Sequence, residues 1–218
     1  MNAILRHSAD LDWITLVLFT SLGLLTVAKY FYKNSLFIFL LLPINNKYIA
    51  LNRKKGKTLD GFHIVMTLFQ MLNVALFLHI AKAEIQESIQ LIQVEWFFTF
   101  FAGLLLFFSV KALLQLGNGY FFENRELMIE LIFEKVSYFN YGALIAFVGN
   151  ILIIYVFPDL KLFIYIIILL ILAVNGIGIT KMLKNHQKLI FGNAFYFILY
   201  LCTLEIFPIT IIIRYLNS

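Results

Sequence analysis

Six apolar runs, each long enough to cross a lipid bilayer as a helix, constrain the fold of this chain more than any other feature. They are 19–21 residues long, which at about 1.5 Å per residue matches the roughly 30 Å hydrocarbon core. Lipid offers no partner to backbone N–H and C=O groups, whereas a continuous helix satisfies them internally. The predicted spans cover residues 13–32, 61–80, 96–114, 138–157, 160–180 and 193–213.

The composition agrees with a membrane protein. Hydrophobic residues make up 62% of the chain and charged residues 13%, whereas soluble domains carry about 25% charged residues. The N-terminal stretch MNAILRHSADLDW lacks the basic-then-apolar layout of a cleavable signal, so we expect the first run to be retained. No polar linker divides the sequence. We therefore predict one all-α integral membrane domain over residues 1–218, a six-helix transmembrane bundle.

Lysine and arginine are distributed unevenly over the predicted loops, and this asymmetry predicts the orientation. With the N-terminus outside, 13 of the 17 basic residues lie in inner segments, and both termini are periplasmic. The charge of +5 is then an orientation signal. Nucleic acid is not an expected partner, because no basic face carries interleaved stacking aromatics. The four outer basic residues are Arg6, Lys82, Lys161 and Arg214.

A short apolar segment, SLFIFLLLPINN at residues 35–46, follows the first span. Its apolar core of about ten residues is too short to cross the bilayer, so we predict an interfacial or re-entrant segment. A basic inner surface follows it. We expect this surface to bind anionic lipid headgroups, at about 1 kcal/mol per basic residue; the alternative is a docking surface for a protein partner. The basic inner surface consists of Arg53, Lys54, Lys55 and Lys57.

An acidic stripe precedes the fourth span, in ENRELMIELIFEKVSYF at residues 123–139. Glu126, Glu130 and Glu134 recur every four residues and therefore share one face of a helix. We predict an amphipathic helix that continues into the fourth span. The stripe is expected to be solvated; the alternatives are pairing with the basic inner surface and contact with a partner.

The predicted sixth span contains the stretch FILYLCTLEIFPI, which places Glu205 near mid-membrane and Pro208 one turn later. A charged group at the bilayer centre costs about 2.5–3.5 kcal/mol on insertion scales, so Glu205 is expected to face inward. Pro208 cannot donate to the carbonyl four residues earlier, which predicts a kink beside the acid. The proposed intramembrane polar site is a clasp between helices, a proton, ion or ligand site, or a contact with another subunit. Its members are Glu205, Gln70, Asn73, Asn150 and Asn175.

Signatures of membrane enzymes are absent from the sequence. The four histidines are scattered, without the four-residue spacing of an HExxH zinc motif. No aspartate pair suited to diphosphate and magnesium and no GxSxG serine occurs. Cys202 is the single cysteine, so an intramolecular disulfide is excluded. We expect no catalytic residue, metal or cofactor, and a lipid-modifying enzyme is the third class considered.

The segment FYFILYLCTLEIFPITIIIRYL resembles the closing segment of the domain-of-unknown-function family 4271 of Bacteroidota. The specific part of the resemblance is residues 200–208, and the length and span layout agree over the whole chain. The resemblance implies an inner-membrane protein of a Gram-negative bacterium and brings no catalytic residues. The lineage implies multi-subunit export and motility machines as the setting.

The function expected from the sequence is that of a non-catalytic, multi-pass inner-membrane protein, an accessory or scaffold subunit of a membrane complex with a protein partner in the same membrane. The alternative is a small transporter or channel-like protein that uses Glu205 as its coupling acid. The two functions differ in the role of Glu205. A clasp between helices needs only the hydrogen bonds of this residue, whereas a coupling acid must ionise.

Overall fold

A computed structural model describes residues 12–54, 60–86, 94–121, 125–156 and 161–185 of the chain. The described part is all-helical and contains no strand. A π-helical segment, Leu152–Val156, continues α6 after Ile151. The helices are α1 (Asp12–Phe31), α2 (Lys33–Leu40), α3 (Lys47–Lys54), α4 (Gly61–Gln86), α5 (Val94–Phe121), α6 (Arg125–Ile151) and α7 (Lys161–Asn185).

Five helices are long and apolar enough to cross a membrane, and they correspond to the first five predicted spans. The apolar stretches are Asp12–Phe31, Gly61–Glu84, Val94–Leu114, Ile129–Val156 and Lys161–Asn185. The fourth begins earlier than predicted because the amphipathic helix runs unbroken into the span, as the sequence indicated. The sixth predicted span, at residues 193–213, lies outside the described residues.

Side-chain contacts fix the directions of the helices. Trp13, at the start of α1, lies 5.2 Å from His79 near the end of α4. Lys82 near the end of α4 lies over the ring of Trp96 at the start of α5, so α4 and α5 are also antiparallel. Helix α6 is antiparallel to α5, because Phe108 meets Phe139 and Lys111 meets Lys135. It is antiparallel to α7 as well, because Gly149 meets Ile167 and Gly178 meets Tyr138. Helices α4 and α6 therefore run parallel to each other, and α1, α5 and α7 run the opposite way. Alternating directions are what consecutive membrane spans require.

Helix α4 is the centre of the bundle. Of its most apolar stretch, 56% is buried against the other helices, whereas the figure for α5 is 6%. Helix α6, which packs against both α4 and α7, carries small side chains in the core: Ser137, Ala143 and Ala146 are all fully buried. Small residues let two helix backbones approach closely, which is how helices associate where lipid removes the hydrophobic driving force.

Helices α6 and α7 meet through glycine. A Cβ atom at Gly149 would lie 2.6 Å from Cδ1 of Ile167, and one at Gly178 would collide with the ring of Tyr138. A side chain at Gly178 would meet the base of the Tyr138 ring, whereas one at Gly149 would have to displace the end of the Ile167 side chain. The close approach is made from both helices, since Gly149 lies on α6 and Gly178 on α7.

The segment after the first span is folded against the bundle. Residues 33–40 form α2, which is followed by turns at 41–44. Pro43 disfavours helical geometry at the residue before it, which explains the stop. Phe39 and Leu42 are fully buried while Phe37 and Ile44 are exposed. The segment has one face on the bundle and one face outward, and it is too short to cross a bilayer.

Most of the described basic residues lie at one end of the bundle. Lys29 and Lys181 lie near the C-terminal ends of α1 and α7, at the same end as the start of α4, and Lys111 lies about one turn before the end of the apolar stretch of α5. The opposite end carries Lys82 and Lys161 together with acids in the first turns of α1 and α5. We call the first end the basic end. The packed structure thus brings together the charges that the predicted loop assignment placed on one side.

Candidate intramembrane polar site

Three helices are joined by hydrogen bonds inside the bundle. Asn73 on α4 donates from Nδ2 to Oγ of Ser21 on α1 (3.1 Å) and to the backbone oxygen of Phe69 (2.8 Å). Asn150 on α6 donates from Nδ2 to the backbone oxygen of Asn73 (3.1 Å). Ser21 donates in turn to the oxygen of Val17 (2.9 Å). We call Ser21, Asn73 and Asn150 the polar clasp.

The polar clasp is fully enclosed. Its three side chains have relative exposures of 0%, and Gln70, one turn before Asn73 on α4, is 1% exposed. An unpaired amide in an apolar interior costs about 1–3 kcal/mol. The hydrogen bonds of the clasp therefore favour the packed arrangement of α1, α4 and α6 over any in which these amides meet lipid.

Three amide oxygens of this region have no hydrogen-bond partner among the described residues. They are Oε1 of Gln70, Oδ1 of Asn73 and Oδ1 of Asn150. The amide nitrogens of Asn73 and Asn150 are already engaged as donors, so the group left over on each side chain is an acceptor. What would satisfy them is a donor: a hydroxyl, a protonated acid, a water or a cation.

A second polar rung links α4 and α6 toward the basic end. Asn140 on α6 donates from Nδ2 to Oγ1 of Thr67 on α4 (3.4 Å). One turn before Thr67, the ring of His63 lies 4.8 Å from that of Phe133. Hydrogen bonds therefore link the two parallel helices at two positions along α4, Thr67 and Asn73, which are about 9 Å apart along the helix axis.

The structure brings the predicted site residues together only in part. Asn73 and Asn150 meet in the polar clasp, and Gln70 lies one turn away. Asn175 lies at the α6–α7 contact, where its Nδ2 donates to the oxygen of Ile171 within its own helix (2.8 Å). Glu205 and Pro208 lie outside the described residues, so the predicted kink and the partner of the acid remain predictions.

The acidic stripe differs from the solvated face expected for it. Glu134 has a relative exposure of 3% and lines a crevice of about 30 Å³ between α6 and α7, beside Tyr138 and Asn175. The expectation of a solvated face is wrong at this position, because α7 covers it. Glu130 is half-buried. The side chains of Glu126, Arg53 and Lys54 lie outside what the structure describes, as do Lys55 and Lys57.

An aromatic cluster closes the basic end. The ring of Phe39 lies 5.3 Å from Tyr48 and 5.5 Å from Phe62, and Tyr48 stacks on Phe133 at 5.8 Å. Burial raises the pKa of Tyr48 above its ordinary value, and the negative charge of Asp60 adds to this. The phenol therefore stays neutral under physiological conditions and acts as a packing group.

Lys181 holds the short segment at residues 35–46 against the bundle by hydrogen bonds. Its Nζ donates to the backbone oxygens of Pro43 (2.8 Å) and Leu42 (3.4 Å). These carbonyls lie in the turns after α2. Close by, the hydroxyl of Tyr138 donates to Oδ1 of Asn46 (3.2 Å). Two helices, α6 and α7, thus hold the segment in place.

Sequence reasoning missed two features of this region. Ser21 gave no signal, because a serine in an apolar helix usually bonds its own preceding turn. Lys111 and Lys135 were read only as orientation charges. In the structure they line one crevice between α5 and α6. One signal for this contact was available in the sequence. Lys111 follows two phenylalanines in FFSVK, inside a predicted span, where a lysine needs a reason to be placed.

Within the described ranges, no group of three or more His, Cys, Asp or Glu side chains could hold a metal ion. His79, for example, is packed among rings, 5.2 Å from Trp13 and 6.4 Å from Phe100. The arrangement offers hydrogen-bonding amides and hydroxyls inside the bundle and lysines at the basic end.

One comparison with known proteins finds a relation. The model of the family described as "Domain of unknown function (DUF4271)" matches residues 14–216, which confirms the resemblance of the closing segment and extends it over the chain. No curated protein and no solved structure matches.

Proposed function

The chain belongs to the DUF4271 family, and on that premise we propose that it is a non-catalytic, multi-pass inner-membrane protein that serves as an accessory or scaffold subunit of a membrane complex. Five membrane-length helices make it a membrane-spanning protein. The sixth span, the periplasmic termini, the bacterial inner membrane and the interfacial position of the segment at 35–46 belong to the proposal. Export and motility machines are the complexes that the Bacteroidota resemblance implies.

The polar clasp carries this proposal. Its amides donate hydrogen bonds to a serine hydroxyl and to a backbone oxygen of the neighbouring helix. Hydrogen bonds of this kind fix the positions of the helices relative to each other. The glycine contacts between α6 and α7 add a second rigid interface. A framework with a fixed shape is what a scaffold subunit needs, whereas a carrier needs helices that shift against each other.

Purification of the full chain from its native membrane in mild detergent, with mass spectrometry of the co-purifying proteins, tests the proposal. A second membrane protein at constant stoichiometry is the expected result. A chain that elutes alone under conditions that keep it folded would count against the subunit role. A matched control is a tagged, unrelated membrane protein of similar size from the same membrane.

The alternative is a transporter or channel-like protein, and one observation favours it. Three buried amide oxygens, on Gln70, Asn73 and Asn150, face no donor among the described residues. A protonated Glu205 is the predicted donor, and a group that binds and releases a proton at this depth is also what coupling requires. The clasp and the coupling site would share the same residues.

Glu205→Gln separates the two functions, because glutamine can donate a hydrogen bond but cannot ionise. In proteoliposomes loaded with a pH-sensitive dye, the scaffold proposal expects wild type and Glu205→Gln to leak protons at the rate of empty liposomes. Proton flux that is present in wild type and lost in a folded Glu205→Gln variant would establish the alternative.

A further inference from the structure

Four amide oxygens on α4 and α6, two helices that pack against each other, have no hydrogen-bond donor among the described residues. They are Oε1 of Gln70 and Oδ1 of Asn73 on α4, and Oδ1 of Asn140 and of Asn150 on α6. The four side chains are at most 1% exposed, so bulk solvent does not reach them. Buried amide oxygens are normally hydrogen-bonded to protein or to ordered water. Four of them on one pair of helices therefore point to a small donor inside the bundle.

These oxygens belong to a short stretch of the contact between α4 and α6. Asn140 donates to Thr67 at one end of the stretch (3.4 Å), and Asn150 donates to the backbone oxygen of Asn73 at the other (3.1 Å). Gln70 is three residues from both Thr67 and Asn73, so it lies between them near one side of α4. The stretch is about 9 Å long along the helix axis. We call it the amide seam.

The hydroxyl groups in contact with the amide seam cannot supply the donors. Thr67 donates from Oγ1 to the backbone oxygen of His63 (2.8 Å), and Ser21 donates to that of Val17 (2.9 Å). Each hydroxyl has one hydrogen, which is already used. Glu205, the donor predicted from the sequence, also has one hydrogen to give when it is neutral. Even with Glu205 in place, three oxygens would need another donor.

We propose that at least two water molecules bind in the amide seam and donate to these four oxygens. Each water brings two O–H donors, so two waters match four acceptors. Buried waters in proteins make about three hydrogen bonds each, and a bridging water is nearly as favourable as a direct hydrogen bond.

Water fits the amide seam better than a cation does. None of the four side chains carries a negative charge, and burying an ion without a counter-charge is far more costly than burying a neutral molecule. The site does not depend on the proposed function, because water would satisfy these amides in a scaffold and in a carrier alike.

Hydroxyl-radical footprinting of the detergent-purified full chain tests the site. X-ray pulses turn bound water into radicals that oxidise the side chains beside it, and mass spectrometry identifies the oxidised residues. The reporter is Phe69, which is fully buried and whose backbone oxygen accepts from Asn73 (2.8 Å). The matched control is Phe62 on the same helix, which is 1% exposed and packs on the ring of Phe39 at 5.5 Å.

We expect several-fold more oxidation of Phe69 than of Phe62. Equal oxidation of the two rings would mean that the amide seam is dry and would overturn the proposal. This comparison needs no variant, so it stands even if a substitution prevents folding.

A double substitution locates the water. Gln70→Met with Asn140→Leu removes two of the four acceptors at similar side-chain size, and it should lower the oxidation of Phe69 toward that of Phe62. The matched control is Asn175→Leu, which removes an amide from the contact between α6 and α7 and should leave the oxidation of Phe69 unchanged. Undiminished oxidation of Phe69 in a folded double variant would refute the site.

Discussion

Replacing Gly178 by alanine should loosen the α6–α7 interface, whereas replacing Gly176 should not. A Cβ atom at 178 would lie 2.7 Å and 2.9 Å from Cδ2 and Cδ1 of Tyr138, distances at which either the Tyr138 side chain or one of the helices must move. A Cβ atom at 176 meets no atom of the described residues within 4 Å. The two glycines are on the same helix and two residues apart, so they form a matched pair.

The magnitude follows from two opposing terms. Alanine is favoured over glycine in a helix interior by about 1 kcal/mol, and this gain is common to both variants. Overpacking a close contact costs about 1–3 kcal/mol, and this loss applies to Gly178→Ala alone. The difference between the two variants should therefore be about 1–3 kcal/mol, which corresponds to several degrees in the unfolding midpoint of a chain of this size.

Thermal unfolding of both variants in the same detergent, followed by circular dichroism, measures the difference. We expect Gly176→Ala to unfold at or above the wild-type temperature and Gly178→Ala below it. Equal midpoints for the two variants would mean that Tyr138 does not lie against Gly178, and the α6–α7 packing described above would be refuted.

Three further predictions concern the orientation and the basic end. Cysteines introduced at Asn2 and Ser218 should both react with an impermeant reagent from the periplasmic side; protection of both would reverse the topology. Replacing all four residues of the basic inner surface with Gln should weaken association with anionic vesicles or with a partner while insertion is unchanged, and unchanged association would leave them as orientation charges. Lys181→Met should lower the free energy of unfolding by about 1.5–3 kcal/mol, the range for a hydrogen bond from a charged group, and Lys181→Arg should restore part of it. An unchanged free energy of unfolding in Lys181→Met would show that the hydrogen bond to Pro43 does not hold the segment.

The spans were predictable from sequence because their physical requirement is local. About 20 apolar residues suffice to cross a bilayer, and this can be counted without knowing any neighbour. The amphipathic helix that continues into the fourth span was predictable for the same reason, since the spacing of its glutamates repeats every helical turn. The start of that span was harder to place, because a helix passes from headgroup to hydrocarbon without a break.

The contacts between helices were less predictable, because they depend on which faces meet. Residues three apart, such as Gln70 and Asn73, lie near one face of a helix, but this spacing could not show that Asn73 would pair with Ser21 and Asn150. Glu134 was expected to be solvated because a helical period cannot show that α7 covers that face. Lys111 and Lys135 are 24 positions apart in the sequence and come together only through antiparallel packing of α5 and α6.

The most direct test of the central claim, that polar groups inside the spans hold the helices together, is the coupling free energy between Ser21 and Asn73. Ser21→Ala, Asn73→Ala and the double variant are unfolded reversibly in mixed micelles, and the coupling is the departure from additivity. The hydrogen bond of 3.1 Å between the two side chains predicts a coupling of about 0.6 kcal/mol, with an upper range of about 1.7 kcal/mol. Additive effects of the two substitutions, in variants that fold as wild type does, would contradict the claim.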